Sequence, residues 1–138
     1  MQQVVTISQR PQDAYRKQDI LTANSVDLIV MLYDALKKNI ILGRRGIDKR
    51  NIPGTHKHLI KAQEIVSELI NCLDMNYQIS EELLELYEFM LRSIEQANIQ
   101  KSDEPLEPVI EMVDSLRDAW KEISTVNRGN VYYREVQA

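Results

Sequence analysis

The residues of this chain with the best claim to chemistry are two histidines, one cysteine and a few paired carboxylates, and their spacing gives each little to work with. His56 and His58 stand two apart, so on a helix they point to different sides, and neither has a glutamate three residues before it. A di-metal carboxylate site in a helical bundle needs inward-facing Glu-x-x-His segments, so no such metal site is expected. His58 and Lys61 have the i, i+3 geometry by which a phosphotransfer domain sets a lysine beside its phosphoryl-accepting histidine. The small residues such a site wants after its lysine are replaced by Ala62, Gln63 and Glu64, and a solvated histidine is the plainer reading. Nucleophilic catalysis lacks a Gly-rich phosphate loop, a serine in a nucleophile elbow and any histidine that sequence pairs with Cys72. Glu81 and Glu85 fit capping and solubility at a helix start better than acid–base work. The chain is expected to be no enzyme and to need no cofactor.

The elements that would position these residues are helices. A chain of 138 residues with 43% apolar and 28% charged composition fits one soluble domain with a single core. Four glycines and four prolines leave few turns, which suits a few long helices. The lone Cys72 cannot close an internal disulfide and reads as a core thiol in a reducing compartment. Met1 to Gln12 is polar and lacks the apolar h-region of a signal peptide, and no run is long enough to cross a bilayer, so a cytoplasmic location without membrane insertion is expected. The net charge of −4 argues against a general nucleic-acid binder. Lys37, Lys38, Arg44, Arg45, Lys49 and Arg50 nevertheless crowd the end of one predicted helix. They suit its negative dipole end, and docking on an acidic partner is the alternative.

After a leader spanning 1–23, Asn24 is a candidate N-cap for a first helix over about Ser25 to Arg45, weakened and ended by Gly43 and Gly46. Ile29, Leu32, Leu36 and Ile40 form its inner stripe, with Leu28, Met31, Ala35 and Leu42 beside it. Pro53-Gly54 marks a turn, after which Leu59, Ala62, Val66, Leu69 and Leu73 give a second helix ending near Asp74. Ser80 is the expected cap of a third, whose inner stripe is Leu83, Tyr87, Met90, Ile94 and Ala97 and whose terminator is Asn98. Lys101 to Pro108 leads into a fourth helix carrying Val109, Val113, Leu116, Trp120 and Ile123 on one seam. The economical fold is all-α, an antiparallel up-down-up-down four-helix bundle over 24–127, with a fraying tail at 128–138. Helices one, three and four carry more apolar surface than a stripe of about 100° requires. Tyr33, Leu86, Phe89, Ala119 and Val126 stand at the margins, where surplus surface could take up an amphipathic helix or be ordinary boundary packing.

Several motifs occur together in order. Pro11-Gln12-Asp13-Ala14-Tyr15 is similar to an Asn-Pro-Tyr-x-Ala-Tyr leader. Leu21-Thr22-Ala23-Asn24-Ser25 with Leu28 and Met31-Leu32-Tyr33-Asp34 is similar to a Leu-Thr-Ala-Ser-Pro and Met-Leu-Tyr signature. Leu73-Asp74-Met75, Leu86-Tyr87-Glu88-Phe89-Met90, Ala97-Asn98 and Leu116-Arg117-Asp118-Ala119-Trp120 continue the match. Over about Pro11 to Glu122 the chain resembles the flagellar export chaperone family, FliS. It departs in Gln12, which replaces a tyrosine, in Asn24-Ser25 for Ser-Pro, and in Ala35-Leu36 for a small Gly-Ala pair.

The resemblance implies an antiparallel bundle that binds the C-terminal segment of flagellin, keeps it from polymerising and delivers it to the flagellar type III export gate. It also implies that Tyr15, Ile20 and Leu21 form a displaceable lid and partner contact. Tyr33, Leu36, Leu86, Tyr87, Met90 and Trp120 become the candidate groove or its support, with core packing the alternative for Tyr87, Met90 and Trp120. The free protein is expected to be a monomer or weak dimer. A His-phosphotransfer bundle or a generic helical adaptor are the competing readings, and a phosphodonor that labels His58 would separate the first from a chaperone.

Overall fold

The computed structural model describes residues 25–126, with side chains from 26 to 122, so the leader, Tyr15, Ile20, Leu21, the Asn24 cap and the tail lie outside the described residues. Among the described residues the chain forms α1 (Ser25–Asp48), α2 (Ile52–Asn71), α3 (Gln78–Gln100) and α4 (Leu106–Val126), packed as a four-helix bundle. α1 packs most extensively on α2 and then on α4, α2 packs on α3, and of these neighbouring pairs α3 and α4 pack least.

Cross-helix pairs give the directions. Asp34, Lys37 and Arg44 of α1 pair with Arg117, Asp114 and Glu107 of α4 at 2.6, 2.7 and 3.2 Å. Each step up α1 is matched by an equal step back along α4, so the two run antiparallel. The spacings of three and seven residues return to one helix face after one and two turns. His56 of α2 bonds Asn98 of α3, tying those two helices together near the start of one and the end of the other.

The end of α1 lies beyond both glycines thought to stop it. Gly43 and Gly46 are buried helical residues whose missing side chains let α2 approach. A Cβ on Gly43 would come within 2.4 Å of Leu59 Cδ2, and one on Gly46 within 2.9 Å of the Thr55 backbone nitrogen. A periodicity argument weighs glycine only as a helix breaker, whereas tertiary contact here outweighs that roughly 1 kcal/mol propensity cost.

Other boundaries shift for similar local reasons. Pro53 and Gly54 sit within the first turn of α2, capped by Asn51, whose Oδ1 accepts the Gly54 N–H at 3.0 Å. A proline has no N–H to lose there, so the helix starts before it. Ser80 does not cap α3: that helix begins at Gln78, and the Ser80 hydroxyl donates to the Asp74 carbonyl at 2.6 Å. At the far end α3 passes Asn98 and closes on Lys101, which takes a left-handed φ of 52°. Pro108 falls in the first turn of α4.

The interior is one continuous cluster drawn from all four helices, including Leu36, Ile40, Leu59, Leu69, Met90 and Val113. Cys72 is buried in it.

Candidate functional site

Five of the six residues proposed for a groove are interior. Tyr33, Leu36, Tyr87, Met90 and Trp120 are buried, while Leu86 is half-buried and Phe89, beside it on α3, is 36% exposed. Tyr33 and Tyr87 meet hydroxyl to hydroxyl at 2.5 Å, linking α1 to α3 through the core. Trp120 of α4 bonds Tyr33 as well, and an indole N–H can only donate, so three helices share one polar node. Burial pushes the Tyr33 phenol well up, with its bonds to Tyr87 and Trp120 partly offsetting that. Burial also pushes Tyr87 up, and the neighbouring Tyr33 adds to it. Both rings are neutral hydrogen-bonding groups with no nucleophilic character at ordinary pH.

Tyr33 was placed at a margin because it lies off the stripe Ile29, Leu32, Leu36 and Ile40. Its hydroxyl has partners inside, and that arrangement inverts the order: Tyr33 is buried and Leu32 half-exposed. One-dimensional spacing does not carry this signal.

The surplus apolar surface sits elsewhere. On α3, Asn98 turns toward α2, and at 100° per residue Leu86, Phe89 and Ser93 share the other flank. On α4, Glu107, Asp114 and Arg117 turn toward α1, and the half-exposed Met112 and Leu116 with the exposed Ala119 take the opposite flank. These two flanks border the seam between α3 and α4, the least-packed of the neighbouring pairs. A second strip runs down the outside of α1, where Leu28, Leu32, Ala35 and Leu42 are half-exposed and Met31 is exposed.

The histidines take structural positions. Asn39 Nδ2 donates to the Ala35 carbonyl at 2.9 Å, which turns its Oδ1 to His58 Nδ1 at 3.3 Å and makes that ring nitrogen the donor. Asn98 Oδ1 accepts from Lys101 Nζ at 2.7 Å, so its Nδ2 donates to His56 Nδ1 at 3.0 Å. The two rings thus tie α2 to α1 and to α3. Lys61, the other half of the imagined phosphoryl site, lies 3.9 Å from Glu64. Among the described residues no group of three or more His, Cys, Asp or Glu side chains is arranged to hold a metal ion, and no helix is long and apolar enough to cross a membrane.

The family model described as flagellar protein FliS matches residues 8–127. The chain belongs to the FliS family. It is 35% identical over 114 residues to the flagellar secretion chaperone FliS of Bacillus subtilis, covering 83% of this chain and 86% of that one. The Vibrio cholerae flagellar secretion chaperone FliS is 34% identical over 116 residues, covering 80% and 85%. The Salmonella typhimurium protein of that name is 28% identical over 108 residues, covering 76% and 80%. FliS membership supports a chaperone role in flagellar export.

Proposed function

We propose that this chain is a cytosolic secretion chaperone that receives the amphipathic C-terminal segment of flagellin along the α3–α4 seam, prevents its premature polymerisation and assists delivery to the flagellar type III export gate. The observation that carries the reading is the strip Leu86, Phe89, Met112 and Leu116 beside the neighbouring helix pair that packs least. An amphipathic helix laid into such a seam covers its own apolar face and the strip together. In this scheme Leu86 touches the client, and Tyr33, Leu36, Tyr87, Met90 and Trp120 form the floor that gives the seam its shape. Tyr15, Ile20 and Leu21 serve as the lid and partner contact.

Calorimetry with a peptide from the C-terminus of the same organism's flagellin tests this. Saturable binding with a negative heat-capacity change is expected, since apolar burial produces that sign. Phe89→Asp should weaken binding by about tenfold or more while the thermal midpoint holds, because it removes roughly 1.5–3 kcal/mol of apolar contact with the client, and Leu116→Asp, whose side chain also packs against the core, should weaken binding similarly and lower the midpoint. Unchanged affinity in both variants would end the seam model. Loss in Met31→Asp instead would move the client to the outer strip of α1.

A further inference from the structure

The end of the bundle where α1 gives way to α2 and α3 to α4 holds a cavity of about 440 Å³ that the client seam does not include. Gly46, Ile47, Ile52 and Thr55 supply an apolar and small-residue wall, and Arg50 and Lys101 are its charged members. No carboxylate lines it. Asp48, Asp103 and Glu104 belong to the same end of the molecule but stand outside the cavity. This local excess of positive charge contrasts with the chain's net charge of −4.

The two cations are held differently, and both carry uncompensated charge. Lys101 is half-buried, and its ammonium donates to the carbonyl and the Oδ1 of Asn98, two neutral oxygens. An ammonium has three donors, so one is left over. Arg50 is exposed, and among the described residues no carboxylate pairs with it. Arg44, by contrast, is spent on Glu107. Beside Arg50 stands Ile52, 61% exposed, at the first residue of α2.

We propose that this cavity is a second docking site, for an acidic peptide segment of a partner protein that sets one aliphatic side chain between Ile47 and Ile52 and a neighbouring carboxylate between Arg50 and Lys101. The volume lies within the range of small binding pockets, which are mostly apolar with a few placed polar groups. Charge complementarity selects the occupant: a carboxylate gains from both cations, while a basic or neutral segment leaves Lys101 uncompensated. The site is independent of the α3–α4 seam, so an acidic partner and the client can be held together.

The test uses the whole protein and a fluorescein-labelled peptide alternating glutamate with leucine, with a control in which every glutamate is glutamine. Anisotropy should show saturable binding of the acidic peptide, at least about fivefold weaker binding of the control, and weakening as salt is raised to about 0.5 M. Arg50→Glu and Ile52→Asp, both at exposed positions, should each lower the affinity by roughly tenfold. Leu116→Asp should leave it unchanged. Equal binding of the glutamine control, absence of saturation, or full affinity in Arg50→Glu and Ile52→Asp would each overturn the proposal. So would loss of binding in Leu116→Asp alone, which would assign the peptide to the client seam. Inorganic phosphate binding as well as the peptide, with no loss in Ile52→Asp, would reduce the cavity to a simple anion site and overturn it too.

Discussion

Tyr33 and Tyr87 are large polar-tipped rings buried where two leucines would pack, and what they contribute depends on keeping their protons. Burial raises both phenols above their ordinary value near about 10, whereas in the unfolded chain they ionise there. Below that pH their contribution is complete. As pH rises past it the unfolded chain sheds protons the native chain keeps, so stability falls until the folded phenols ionise as well. Urea unfolding between about pH 9 and pH 11 should therefore show a steep loss of stability, and a Tyr33→Phe, Tyr87→Phe double variant should show a shallower one. At neutral pH the Tyr33→Phe single variant should cost about 1–2 kcal/mol, the usual consequence of removing one member of a buried hydrogen-bonded set. The type and rough depth of these residues were legible in the sequence for Tyr87, which lies on its helix's inner stripe. They were not for Tyr33, because spacing along one helix says nothing of a hydroxyl waiting on another.

The same contrast runs through the helices. Their number, order and approximate limits followed from apolar spacing and from Pro53, Gly54 and Pro108, but the sense of Gly43 and Gly46 did not, since it depends on how near α2 comes. That contact gives an asymmetric expectation. A Cβ at Gly43 meets the movable end of Leu59, while one at Gly46 meets the Thr55 backbone. Gly46→Ala should thus cost about 2–3 kcal/mol and Gly43→Ala less, both measured by denaturant unfolding, against a propensity gain of roughly 1 kcal/mol. At the turn itself Arg50 adopts a left-handed φ of 56°, a conformation that glycine takes freely. Arg50→Gly should raise the thermal midpoint by a few degrees, corresponding to about 1 kcal/mol, and in the same protein weaken the acidic peptide. The candidate groove was partly legible: Leu86 and Phe89 were marked as marginal and are, while the interior members belong to the core beneath. The α1–α4 ion pairs were hidden, because partners so far apart in sequence leave no local trace.

For the molecule as a whole the contacts run in the order α4, α1, α2, α3, with the ring weakly closed between its two ends. α1 and α2 form a spine locked by the glycine approach, and the other two helices attach to it as wings. A guest entering between them would separate surfaces that hold each other only lightly, and the single tryptophan, Trp120, rides on one of those wings as a built-in optical reporter of the opening.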